Sequence, residues 1–220
     1  MTDEPNEEPD LASRLAQAIT VYKAGWKPVD DELYNLFRRR PSHRDYSDVY
    51  TKVVMIERVY RAGIVRAFKG KAKAKAEIIV ARELIAQADL LEEHLAAFDS
   101  HELDRQTALE IVELHGRITA SLAPSADAWL TSFVSKYLHF HCPIVPVYDS
   151  KAAGSVSGFV KSPTDKRSVA SLRRSMRDLH PSSRAYRRFV AAFLVLYEQA
   201  WAETSLQPSV KEVDYLLLQA

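Results

Sequence analysis

The sequence has little cysteine, little glycine and no long apolar run, and each shortage excludes something. Cys142 is the only cysteine in 220 residues, which rules out an intramolecular disulfide framework and a cysteine-rich zinc site and points to a reducing compartment. Six glycines are few for a sandwich, a barrel or a nucleotide-binding α/β sheet, which need glycine in their turns, whereas ten prolines suit the punctuation of a series of helices. No apolar stretch approaches the length of a membrane span, and the first ten residues are acidic rather than basic-then-apolar, unlike a secretory signal. The expectation is a soluble, cytoplasmic, all-α protein with no membrane partner.

With 47% hydrophobic residues the chain can form a packed core. Its length fits a compact multi-helix domain over 11–220, with two helical lobes at 11–124 and 125–220 as the alternative, behind an acidic disordered tail at 1–10. Charge is unevenly spread. Asp3, Glu4, Glu7, Glu8 and Asp10 give the tail five negative charges and no positive one. Between Arg38 and Lys75 twelve basic residues face three acidic ones, and between Lys161 and Arg188 nine face two. Two basic runs around an acid-rich middle suit a polyanion, with Arg38, Arg39, Arg40, Lys71, Lys73, Lys151, Arg173 and Arg174 as candidate contacts to DNA. Solvated helix faces are the alternative.

Apolar residues at helical spacing predict helices near 11–22, 31–37, 45–64, 78–98 and 102–122, then 169–179, 182–201 and 209–218. Gly63 is placed near the end of the third, and Pro181 and Pro208 at allowed first-turn positions. The Lys-Ala repeat of 69–76 reads equally as an extended arm or an early helical turn. Ser125 or Asp127 is expected to cap a helix carrying Trp129, Phe133, Tyr137 and Phe140. That helix must stop before Pro143, and 143–149, with prolines at 143 and 146, is expected to run extended. Asp149 and Ser150 then open the next helix. Phe189, Phe193 and Tyr197 are assigned to the core.

The chemistry-bearing stretch is Ser132-Phe133-Val134-Ser135-Lys136-Tyr137-Leu138-His139-Phe140-His141-Cys142-Pro143-Ile144-Val145-Pro146-Val147-Tyr148-Asp149-Ser150. A lysine near a helix start is followed by a proline-bounded linker and an aspartate at the next helix start. This resembles the helix-hairpin-helix DNA glycosylase superfamily, especially its 8-oxoguanine glycosylase-like members. There, the lysine opens the second helix of the hairpin and a Pro-Val-Asp element delivers the catalytic aspartate. Pro146-Val147-Tyr148-Asp149 looks like that element with one residue inserted, and Lys136 is the matching lysine. The stretch is also similar to a group of bacterial proteins sharing a Ser-Lys-Tyr…His-Phe-His…Pro…Pro…Tyr-Asp-Ser core. The resemblance is specific over 129–152. It departs from the family where a Gly-x-Gly hairpin is expected, since Phe133-Val134-Ser135 stands there, and in the short interval from Lys136 to Asp149.

What the resemblance implies is DNA glycosylase-like activity on a flipped-out base, with Lys136 and Asp149 as catalytic residues. A carboxylate stabilises the oxocarbenium character that develops as an N-glycosidic bond breaks, and a deprotonated amine can attack the same carbon. Trp129, Tyr137, Phe140, Tyr148 and His139 are candidate substrate contacts, since an extruded base needs a stacking pocket. Structural roles stand beside these: Asp149 as a helix cap, Lys136 as its ion-pair partner, Cys142 as a small buried apolar residue. His139 and His141, two apart, point in different directions on a helix, so no metal site is expected, nor any cofactor. A non-catalytic nucleic-acid-binding or regulatory protein and a helical protein-interaction module are the alternative functions.

Overall fold

Hydrophobic stripes at helical spacing, stopped by caps and prolines, generate the architecture. The computed structural model describes residues 9–98 and 102–220; Asp3, Glu4, Glu7 and Glu8 of the expected tail lie outside them. The described residues are all-helical and contain no strand. Eleven α-helices run as α1 (Leu11–Ala24), α2 (Lys27–Arg39), α3 (Tyr46–Tyr60), α4 (Ala76–Ala86), α5 (Ala88–Phe98), α6 (Arg105–Leu122), α7 (Thr131–His141), α8 (Ser150–Ser155), α9 (Pro163–Ser175), α10 (Arg184–Glu203) and α11 (Val210–Gln219). Aspartate and serine start many of them by accepting orphan backbone N–H groups: Asp10 caps α1, Asp45 α3 and Asp104 α6, while Ser162 and Ser209 form capping boxes with Asp165 and Glu212.

Several boundaries differ from the predicted ones, for local reasons. Helix α3 stops at Tyr60 because Arg61 turns left-handed (φ 48°), ahead of Gly63. The 78–98 segment is two helices, since the Gln87 N–H turns to Leu84 O at 3.0 Å and breaks the ladder. The Lys-Ala repeat forms a 3₁₀ turn, Gly70–Lys75. Neither Ser125 nor Asp127 caps α7, which begins at Thr131 after an uncapped Leu130; the Asp127 N–H is instead taken by Ala67 O at 2.7 Å. Pro181 opens a 3₁₀ turn, whereas Pro208 precedes the N-cap of α11 rather than standing in its first turn.

One hydrophobic cluster runs from Leu15 in α1 to Leu217 in α11 and includes Phe189 and Phe193; Tyr197 packs half-buried against it. Helix α7 lies inside it: nine of its eleven residues are buried, with α2, α3 and α6 packed around it. Helix α1 packs on α11, and α11 on α8, which brings the end of the chain against the start of α8.

Candidate functional site

A helix buried on nearly all sides has little solvent face on which to place polar residues, so a polar side chain of α7 is costly unless it finds a partner inside the protein; the Tyr137 hydroxyl is buried without one. For Ser135, Lys136 and His139 the partners include backbone groups of the linker that follows. Pro143 and Pro146 prevent the linker from making a regular ladder of its own, and several of its polar backbone groups are instead caught by side chains. The His139 Nδ1–H donates to Val145 O at 2.8 Å, and the Tyr186 hydroxyl from α10 donates to Pro146 O at 2.7 Å. Ser135 Oγ accepts the Tyr148 N–H at 2.9 Å. Lys136 Nζ donates to Tyr148 O at 3.2 Å and to Ser132 Oγ, one turn earlier, at 2.6 Å. After a turn closed by Val145 N to Cys142 O, the chain runs extended into the start of α8, where Asp149 accepts the Lys151 N–H at 2.9 Å.

These clamps bring the two sequence-predicted catalytic residues together. Lys136 Nζ lies 3.8 Å from Asp149 Oδ2, and the lysine side chain is 3% exposed against 38% for the aspartate. Burial depresses the Lys136 pKa to about 8 despite the opposing pull of Asp149. The ammonium is therefore committed inward to Ser132 and Tyr148, and the carboxylate is the member of the pair that reaches solvent.

The pair continues into a charged network that the sequence reading did not identify. On α11, Lys211 and Asp214 form a buried ion pair at 3.0 Å, and Lys211 also lies 3.9 Å from the buried Asp30 of α2. Asp30 accepts the hydroxyls of Tyr22, at 3.0 Å, and Tyr60. Burial alone would lower the Lys211 pKa, but Asp214 and Asp30 outweigh it and hold the ammonium charged; burial raises Asp214. The Tyr60 ring joins the two halves, 5.8 Å from Lys136 Nζ and 5.0 Å from Lys211 Nζ. One sequence signal was available: Lys211 and Asp214 stand at i,i+3 spacing among the apolar residues of α11.

Above the network a cleft of about 530 Å³ opens, lined by Trp26, Asp30, Arg58, Tyr60, Lys211 and Tyr215, among others. Arg61 and Leu218 complete its rim, and Leu218 O accepts Lys151 Nζ at 2.5 Å, linking the rim to the first turn after Asp149. Of its three cationic side chains, Lys211 is held by Asp214 and Asp30 and Arg58 lies 3.4 Å from Glu77, so Arg61 is the one with no ion pair among the described residues, at the mouth of a cleft with aromatic walls. Comparison with protein-family models, curated proteins and solved structures returns no match.

The remaining predicted residues fall in different places. Tyr137, His139 and Phe140 are buried and offer no face to a ligand, which corrects their assignment to substrate binding. Tyr137 packs among Phe37, Phe133, His43 and His141. His139 uses both ring nitrogens structurally, receiving the Tyr34 hydroxyl at 2.5 Å on Nε2, and burial holds its pKa near 3, so it stays neutral. Trp129 is 60% exposed, outside the cleft lining. Tyr148 packs edge-on against Phe189 and faces a second cavity. Among the basic candidates, Arg38 bonds Asn35 and Arg40 pairs with Asp48 at 2.8 Å, while Arg39, Lys71, Lys73, Arg173 and Arg174 are exposed. Cys142 is buried at the end of α7. Among the described residues no group of three His, Cys, Asp or Glu side chains is arranged to hold a metal, and no helix is long and apolar enough to cross a membrane.

Proposed function

We propose that the protein binds DNA and cleaves the N-glycosidic bond of a nucleoside drawn into the Trp26, Tyr60 and Tyr215 cleft, in the manner of a helix-hairpin-helix glycosylase. The observation that carries the reading is the 3.8 Å approach of Lys136 Nζ to Asp149 Oδ2; neither residue lines the aromatic cleft itself, and the pair meets it through the Tyr60 ring, 5.8 Å from Lys136 Nζ, and through the Lys151 contact to Leu218 O on its rim. Asp149 is the residue that acts on substrate. Its carboxylate stabilises the positive charge that develops at C1′ as the bond to the base nitrogen breaks, the bonding pair leaves with the base, which takes up a proton, and water completes the sugar. Lys136 is a positioning residue: it holds Tyr148 and Asp149 against α7. Because its amine is buried and already hydrogen-bonded, the hydrolytic route is favoured over attack by lysine. Arg61 at the rim is placed for a phosphate flanking the extruded nucleoside, and Arg58 would reach one by leaving Glu77, its partner at 3.4 Å.

The test measures base release from single- and double-stranded oligonucleotides carrying uracil, hypoxanthine, 8-oxoguanine or 3-methyladenine, together with retention of each at rising salt. Release from one of them, with retention that weakens steeply as salt rises, supports the proposal. Salt-sensitive retention with no release from any substrate leaves a binding module and overturns the catalytic assignment. Absence of retention overturns both parts.

A further inference from the structure

On the α8, α9 and α10 side of the molecule, cations are gathered around a space apart from the Trp26, Tyr60 and Tyr215 cleft. A groove of about 550 Å³ is lined by Arg173, Arg177, Arg184, Arg187 and Arg188, with Pro181 at its elbow. Arg184 and Arg188 stand i,i+4 on α10, an arrangement that costs stability through like-charge repulsion unless an anion offsets it, and Arg173 and Arg177 face them from the end of α9 and the turn after it. None of the five makes an ion pair among the described residues. Arg187 is held in place by Met176 O at 3.2 Å and Arg177 O at 2.9 Å, so one guanidinium is fixed in position without a carboxylate.

The groove does not end on a flat surface. Arg173 and Arg188 also line an adjoining cavity of about 740 Å³ whose walls are Val156, Val160, Val169, Ala192, Phe189 and the Tyr148 ring, with Lys166 among its lining residues. A strongly cationic groove therefore opens into an apolar, partly aromatic chamber of the size that encloses a small ligand. No carboxylate lines either space, so nothing there would hold a magnesium ion beside bound phosphates.

We propose that this double cavity is a nucleotide site, separate from the Trp26, Tyr60 and Tyr215 cleft, that takes a free nucleoside triphosphate with its base in the Tyr148 and Phe189 chamber and its phosphates on the arginines, without a metal ion. Five guanidinium groups more than offset the charge of a triphosphate and can grip its oxygens in bidentate pairs. A duplex backbone would meet the arginines but leave the chamber unfilled. The two sites share no lining residue.

Calorimetry on the full chain with each of the four nucleoside triphosphates, in excess EDTA, tests this against the matching nucleoside and against inorganic tripolyphosphate. At least one triphosphate is expected to bind ten times or more tighter than either fragment. Arg173→Ala with Arg188→Ala, two exposed positions whose loss leaves the core intact, is expected to weaken it at least tenfold. Ala192→Trp, which fills the chamber, is expected to abolish the advantage of the nucleotide over tripolyphosphate while leaving tripolyphosphate binding in place. A triphosphate that binds no tighter than tripolyphosphate, needs magnesium, or is indifferent to both variants overturns the proposal. So does a double variant that loses oligonucleotide retention when no free nucleotide binds, since the groove is then a DNA contact. Base release in the Asp149 assay is a separate readout, so the two proposals can fail independently.

Discussion

Replacing Lys136 with methionine tests whether the buried ammonium has the energetics that its surroundings dictate. The folded chain releases the Lys136 proton near pH 8, because burial outweighs the attraction of Asp149, whereas an unfolded chain keeps it to about 10.5. Between those values the unfolded state binds more protons than the native state, so stability rises with pH across that window. The full span corresponds to about 3 kcal/mol, of which about 2 kcal/mol falls between pH 7 and 9.5. Lys52, also depressed to about 8 by burial, adds a rise of the same sign that the substitution does not touch. Lys211 and the phenols of Tyr22 and Tyr60 have raised native pKa values, so their contributions are intact below about pH 10 and are lost only above it. Methionine keeps the apolar stem but strands Tyr148 O and the Ser132 hydroxyl, so the absolute stability at pH 7 mixes two opposing effects and the slope is the observable. Urea unfolding of both proteins at pH 7 and 9.5 should show the wild type gaining about 2 kcal/mol more than Lys136→Met. Equal gains would refute the assignment of Lys136 as a desolvated ammonium.

Three further expectations concern the scaffold. Gly116→Ala places a Cβ 2.7 Å from His180 Cβ and 3.1 Å from Ser183 Cβ, in the packed contact between α6 and the turn before α10, and should cost about 1–3 kcal/mol, read as a lower thermal midpoint. Tyr186→Phe removes the hydroxyl that satisfies Pro146 O and leaves that carbonyl buried without its donor; a loss of about 1–2 kcal/mol is expected, with faster amide exchange localised to 145–149. Trp129→Ala should change stability by less than about 0.5 kcal/mol and leave oligonucleotide retention unaltered, because the ring is exposed and outside the cleft; weakened retention would reinstate Trp129 as a contact.

The all-α class was legible from the scarcity of glycine and from apolar spacing, and so was the start of α8 at Asp149, because an aspartate ahead of resumed helical spacing has a local meaning. Boundaries set by a single backbone event were not legible: the break at Gln87 and the left-handed Arg61 carry no strong sequence signal. At the site, Lys136 and Asp149 stand thirteen positions apart in a motif that resembles a known one, and their approach depends on clamps from Ser135, His139 and Tyr186 whose targets are backbone carbonyls and amides. Those targets have no side-chain identity to read. Tyr137, His139 and Phe140 were misassigned for the same reason that they looked attractive: aromatic residues near a lysine serve a buried helix as well as a ligand, and only the packing around α7 tells the two apart. Asp30 went unseen because it stands some 180 residues from Lys211 and Asp214, and the contact that joins α2 to α11 exists only once the chain has folded, whereas Lys211 and Asp214 are paired locally at i,i+3.

The central claim is that the Asp149 carboxylate acts on the sugar while Lys136 holds it in place, and the most direct measurement is single-turnover base release, with borohydride present, by wild type, Asp149→Asn and Lys136→Met. Asparagine caps a helix as well as aspartate does, so the fold survives while the charge is lost. Release should fall about 10²–10³-fold in Asp149→Asn and far less in Lys136→Met, with no covalent adduct in any of the three. Undiminished release by Asp149→Asn, or an adduct that maps to Lys136, would contradict the account.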